Sequence, residues 1–174
     1  MEQINSKIGN THIGIGKPAF VIAEMSGNHG GSLEHALEIV GAAARSGANA
    51  IKLQTYTADT ITLKSDAQDF KILSGPWRKY GTLWNLYDVA HTPWDWHASI
   101  FNEARRLGLE VFSSPFDETA VDFLESLGAA AYKIASPEIN HIPLLQRVAK
   151  TGKPVIISSG LASLNDLGCA VNTL

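Results

Sequence analysis

The 174-residue sequence predicts an α/β fold, an incomplete TIM-type (β/α) barrel of about five βα units, and three observations carry that expectation. Short apolar runs recur at 19–24, 49–54, 109–114, 130–136 and 154–159, each followed by a polar tip, an amphipathic stretch and a glycine. Most of these runs are near-continuously apolar, as parallel strands covered on both faces should be. Polar side chains gather at the C-terminal ends of all five runs, where a barrel keeps its active site.

The first run, AFVIAE, ends at Glu24 and opens on the tip SGNHGG. That tip is rich in glycine but lacks the GxGxxG spacing of a dinucleotide site. Ser32 then caps a predicted helix whose apolar positions Leu33, Ala36, Leu37, Val40 and Ala44 follow helical spacing, and Gly47 ends it. The second run, NAIKLQ, puts Ile51 and Leu53 on one face and Lys52 and Gln54 on the other. About 37 residues then separate Gln54 from Thr92, where a βα connection usually has roughly 2–6. The insertion carries Trp77, Tyr80, Trp84 and Tyr87, with TLWNLYDVAH as a short helix, and reads as a lid or substrate wall or as a decorative element packing its own aromatics. Thr92 and Pro93 open the next helix, Asp117 the one after, and Pro143 a third; Gly108, Gly128 and Gly152 close them.

A five-stranded flavodoxin-like sheet has the same length, so the polar residues decide between architectures. Glu24, Lys52 and Gln54, Ser113 and Ser114, Lys133 and Ser136, and Ser158 and Ser159 stand at successive strand ends. In a flat sheet they would be strung over roughly 19 Å at the inter-strand spacing of about 4.8 Å, whereas a closed barrel gathers them in one mouth. A whole barrel takes eight strands and about 250 residues. Residues 1–174 are therefore expected to form the N-terminal part of a barrel cut short, inactive by itself.

Lys52 and Lys133 both project toward the expected interior. A buried ammonium is costly without a counter-charge, so the pair implies a phosphate or carboxylate between them, depressed pKa values, or pairing with a carboxylate such as Glu24 or Glu138. The serines add hydroxyl donors, supplemented by backbone N–H groups where helices follow. Among six histidines none falls in a metal-ligand pattern; His29, at the expected mouth, is the one singled out, while His35, His91, His97 and His141 read as structural or solvated. One cysteine excludes both a disulfide framework and a thiolate zinc site, and points to a reducing, cytoplasmic setting. A net charge of −3 without clustered Lys or Arg gives no footprint for nucleic acid. The leader MEQINSKIGNTHIGIG is too polar for a signal-peptide h-region, and no apolar run is long enough for a bilayer, so neither a membrane nor a nucleic acid is an expected partner.

The phrases AEMSGNHGG, IKLQTYTADTITL, FSSPFDETAVDFLE, YKIASPEI and KPVIISSG resemble the sialic acid synthase family, from about Pro18 to the C-terminus. TYTADTITL, TPWDWH and FSSPFDETAVDFLE resemble its pseudaminic acid synthase branch more than its N-acetylneuraminate branch. The resemblance implies a barrel followed by a small antifreeze-like domain absent here, a domain-swapped homodimer, and a divalent Mn or Mg whose ligands lie outside this chain. It implies condensation of phosphoenolpyruvate with an N-acetylated amino sugar, 2,4-diacetamido-2,4,6-trideoxy-altrose, releasing phosphate by C–O cleavage. Carried over by motif, Lys52, Gln54, Lys133, Ser136 and Ser158 would hold phosphoenolpyruvate, with Lys52 and Lys133 catalytic. Glu24, also catalytic, and Glu138 would face the sugar and the reacting water, and Ser114 the pocket floor. Competing readings are an N-acetylneuraminate or legionaminic acid synthase, a pyruvate aldolase with Lys133 as Schiff-base nucleophile, and an inactive half-barrel remnant.

Overall fold

The computed structural model describes residues 6–174. Five parallel strands, β3 (Ile22–Glu24), β4 (Ala50–Thr55), β5 (Glu110–Pro115), β6 (Tyr132–Ile134) and β7 (Val155–Ile157), pair in chain order. A doubly wound sheet reverses its strand order to place helices on both faces. Here the order never reverses, and the sheet is the wall of a partial barrel, as expected.

The helix layer shows which face is outside. Helices α1 (Leu33–Arg45), α4 (Trp94–Arg106), α5 (Glu118–Ser126), α6 (Ile142–Ala149) and α7 (Leu164–Thr173) follow the five strands. Ile51, Leu53, Val111, Tyr132 and Ile134 share one buried cluster with Val40 of α1, Ile100 and Phe101 of α4, Leu124 of α5 and Leu144 of α6. The opposite faces of the same strands hold a smaller cluster of Ala50, Phe112 and Ala131. Strand alternation thus separates an outer apolar layer from an interior, and the parity assigned to IKLQ holds.

Helix boundaries follow the capping chemistry with one exception. Ser32 Oγ accepts from His35 N at 3.2 Å, and Asp117 Oδ1 accepts from Thr119 N at 2.8 Å and Ala120 N at 3.2 Å. Gly47, Gly108, Gly128 and Gly152 all have positive φ just past helix ends. Thr92 does not cap α4: the N-cap is Pro93, and the buried Thr92 hydroxyl is engaged with His29 Nε2 at 3.2 Å.

The polar leader is a correction. Within its described part, β1 (Ser6–Ile8) and β2 (Thr11–Ile13) form an antiparallel hairpin; residues 1–5 lie outside the described residues. Ile8 is buried against Ala50, Phe112 and Ala131, with Ile13, Phe20 and Ile22 around it, so the hairpin plugs the N-terminal end of the interior. Gly9, at φ +55°, makes the turn; a Cβ there would collide with the Glu110 carboxylate, which accepts from Asn10 N at 2.7 Å.

Within the insertion, α2 (Ala58–Ile61) and α3 (Leu83–Ala90) flank two short 3₁₀ turns. The predicted TLWNLYDVAH helix is α3, capped by Thr82 Oγ1 accepting from Asn85 N at 3.3 Å. Among the described residues no helix is long and apolar enough to cross a membrane.

Candidate functional site at the strand tips

Register stacks the inward residues in tiers. Glu24 pairs with Lys52, Lys52 with Phe112, Gln54 with Ser114 and Lys133 with Ile156; Ser113 beside Tyr132 sets Ser114 level with Lys133. Glu24 and Lys52 thus share a tier, and Gln54, Ser114 and Lys133 occupy the tier above, toward the mouth.

Lys52 Nζ forms an ion pair with Glu24, whose other oxygen accepts from Ser26 N at 3.2 Å. The pairing foreseen as the plain alternative for Lys52 is therefore present. The carboxylate remains open to solvent, with 40% of its side chain exposed against 15% for Lys52, so Glu24 can meet a ligand while holding the amine. Ser26, which turns the chain here, is a non-glycine residue at φ +50°, a conformation common at functional tips.

Lys133 is placed differently. Its half-buried Nζ donates to Ser158 Oγ at 2.6 Å and to Ile134 O at 2.9 Å, both neutral acceptors. Among the described residues no carboxylate lies within ion-pairing distance of it. Burial and then the facing charge of Lys52 hold its pKa below the ordinary lysine value, with Glu24 and Glu138 partly opposing. The two amines face a common interior, and one lacks a counter-charge.

Ser136 and Glu138 lie in a 3₁₀ turn after β6. Ser136 Oγ accepts from Leu161 N at 2.8 Å, tying this tip to the one after β7. Glu138 Oε2 is buried with no hydrogen-bond partner among the described residues, and burial pushes its carboxyl up. Ser114 is buried on the inner face beside Gln54.

Ser113 does not belong to the mouth. One residue from Ser114, it points to the helix layer, where its hydroxyl meets Thr55 Oγ1 at 2.7 Å and Thr55 Oγ1 meets His97 Nε2 at 2.9 Å. His97 Nδ1 lies 3.1 Å from the Pro93 carbonyl, which can only accept. Nδ1 therefore carries the proton, Nε2 accepts from Thr55, and Thr55 accepts from Ser113. His29 is equally structural: buried, its Nδ1 accepts from Gly31 N at 3.1 Å, so Nε2–H donates to Thr92 Oγ1, and burial lowers its pKa. The backbone donors foreseen beside the serines are also engaged, since Asp117 takes the first N–H groups of α5 and Ser163 that of Asp166 in α7.

The insertion forms a wall. A cavity of about 490 Å³ lies between it and the tips of β3 and β4, lined by Trp77, Tyr80 and Tyr87 together with Gln54 and Tyr56. Trp84 is not in that wall: its Nε1 donates to Asp59 Oδ1 at 2.8 Å and Lys64 Nζ sits 4.0 Å from its ring centroid, pinning α3 to α2. Tyr56 escaped the sequence reading although its signal was there, two residues beyond Gln54 with the same inward parity.

Among the described residues no group of three or more His, Cys, Asp or Glu is placed to share a metal ion. The divalent metal implied by the resemblance finds no complete ligand set in them.

A family model described as the NeuB family matches residues 39–174. The chain belongs to the NeuB family. It is 48% identical over 151 residues to a pseudaminic acid synthase of Campylobacter jejuni, covering 87% of this chain and 44% of that protein. A pseudaminic acid synthase of Helicobacter pylori is 44% identical over 156 residues, covering 90% and 46%. The crystal structure of N-acetylneuraminic acid (sialic acid) synthetase from Leptospira borgpetersenii, in complex with citrate, superposes with a TM-score of 0.82 at 32% identity over 98% of this chain and 55% of that one. This NeuB-family chain thus spans about half the length of the relatives it matches.

Proposed function

We propose that residues 1–174 are the N-terminal part of a (β/α)8 nonulosonic acid synthase and carry its phosphoenolpyruvate site. The observation that carries this reading is Lys133, half-buried, facing Lys52 and unbalanced by any carboxylate in reach among the described residues. A doubly anionic ligand supplies the missing charge: its carboxylate and phosphate would share Lys52 and Lys133, with Gln54, Ser136 and Ser158 donating hydrogen bonds and Ser114 as the floor. An already paired Lys52 binds an anion less strongly than Lys133, so Lys133 is the principal anchor.

In the reaction, the enol carbon of phosphoenolpyruvate forms a C–C bond to the open-chain sugar aldehyde. Water then adds to the resulting cationic carbon, and phosphate leaves with the electrons of the C–O bond. Glu138, its carboxyl held up by burial and its Oε2 without a partner among the described residues, is suited to exchange a proton with the aldehyde oxygen or the attacking water. Glu24, open to solvent, is placed to bind sugar hydroxyls while steadying Lys52. The relatives named pseudaminic acid synthase favour pseudaminic acid as the product, and the sequence resemblance then implies 2,4-diacetamido-2,4,6-trideoxy-altrose as the sugar.

The test joins this chain to the remainder of a NeuB-family barrel and follows phosphate release. Release from phosphoenolpyruvate is expected only when the acetamido sugar is present; sugar-independent release would sink the reading. The lowered pKa of Lys133 also suits an imine, so borohydride trapping with pyruvate is the companion experiment. No adduct is expected, because an amine engaged with Ser158 and an anion is held as a charge rather than freed as a nucleophile.

A further inference from the structure

The cavity behind the insertion differs from the lysine cluster in one decisive way: none of the twelve residues lining it is Lys, Arg, His, Asp or Glu. An anionic ligand has nothing to gain there. Its volume of about 490 Å³ is that of a small-molecule site, which typically runs to roughly 300–1,000 Å³. The walls combine aromatic rings with neutral hydrogen-bonding groups from Gln54, Asn28 and Ser26.

Tyr56 is the centre of this wall. It is only 4% exposed, and its ring is fixed edge-on to Tyr87 at 5.8 Å and to Phe116 at 5.3 Å between centroids. Its backbone is tied as well, the Tyr56 carbonyl accepting from Trp94 Nε1 at 3.2 Å. Its hydroxyl makes no hydrogen bond among the described residues, is not one of the fully buried polar atoms, and belongs to a side chain lining the cavity. A rigidly held phenol whose oxygen still reaches solvent is a donor that a ligand entering the cavity can meet in place of water. Burial and the neighbouring Tyr87 push its pKa up to about 12, so the proton stays on the oxygen.

We infer that this cavity receives an acylamino group of the sugar and that Tyr56 reads it, its hydroxyl donating to the amide carbonyl while the surrounding rings cover the acyl methyl. A bare hydroxyl would leave the aromatic faces unfilled, and a protonated amine would be stripped of water with no carboxylate to receive it. An acetamido group supplies an acceptor and a methyl together. Tyr56 is thus a specificity-determining residue, and the insertion that carries Trp77, Tyr80 and Tyr87 acts as the selecting wall. The inference rests on the synthase reading above.

The experiment titrates the chain calorimetrically with three ligands: 2,4-diacetamido-2,4,6-trideoxy-altrose, the corresponding 2,4-diamino sugar, and phosphoenolpyruvate. The diacetamido sugar is expected to bind and the diamino sugar at least tenfold more weakly. Tyr56→Phe keeps the ring contacts and is expected to weaken the diacetamido sugar about tenfold, the worth of one well-placed hydrogen bond, while leaving phosphoenolpyruvate unchanged. Trp77, 59% exposed among the lining residues, provides an emission change as a second readout. Equal binding of the two sugars, no binding of either, or an unaltered affinity in Tyr56→Phe would overturn the inference. Sugar binding without phosphoenolpyruvate binding would instead overturn the anion site and spare this one.

Discussion

Lys133→Met is expected to weaken phosphoenolpyruvate binding about 10- to 100-fold, read by calorimetric titration of the chain. The magnitude is that of a charge-assisted hydrogen bond, roughly 1.5–3 kcal/mol. Methionine keeps the apolar stem and removes the ammonium, and the half-buried site gives up a desolvated charge with no carboxylate within ion-pairing reach among the described residues. The variant should therefore melt at or above the parent temperature, which separates lost binding from lost folding. Lys52→Met is expected to cost less, because the Lys52 charge is already shared with Glu24. Equal affinity in Lys133→Met and the parent chain would remove the amine from the binding account.

The second large effect is on acid stability. His97 is fully buried, and burial lowers its pKa from 6.5 to about 4 against the smaller raising influence of the Pro93 and Trp94 backbone and of Asp95. The folded state thus binds fewer protons than the unfolded one between these values. The sign follows: the contribution is fully present above about pH 6.5 and is lost as pH falls toward 4. By pH 5 the loss is roughly 2 kcal/mol, or about 4–8 °C in melting temperature for a chain of this size. His29, also lowered by burial, acts in the same direction. Comparison with His97→Gln, which cannot titrate, isolates the contribution of His97: between pH 6.5 and 5 the variant should lose several degrees less than the parent. Parallel slopes would show that His97 does not titrate with unfolding. The consequence reaches the site, because protonating Nε2 breaks its bond from Thr55, and Thr55 and Ser113 sit next in chain to Gln54 and Ser114.

What could be read in advance follows from which forces are local. The alternation of Ile51 and Leu53 against Lys52 and Gln54 is a property of the strand alone, so it separated the residues facing the helices from those facing the interior. The same rule places Ser113 opposite Ser114, and treating the adjacent serines as one feature put Ser113 in the mouth. Ser32 and Asp117 act within one turn of their helices and were legible; Thr92 looked like a cap of the same kind, but its hydroxyl is claimed by His29, 63 residues away. The hairpin was missed for a related reason. Its six strand residues are mostly polar, and only the burial of Ile8 beneath Phe112 and Ala131 gives them a place in the fold. The lack of a counter-charge at Lys133 could be inferred only as one of two outcomes, since parity fixes direction and not which carboxylate arrives.

The most direct measurement is the titration of Lys133 by NMR of ¹³C-labelled lysine side chains in the chain, alone and saturated with phosphoenolpyruvate. The free amine is expected to titrate below the ordinary lysine value of 10.5 and to move upward when the anion binds. An amine that titrates at its ordinary value and ignores phosphoenolpyruvate would mean that the two lysines do not share an anion, and the proposed site would be lost with them.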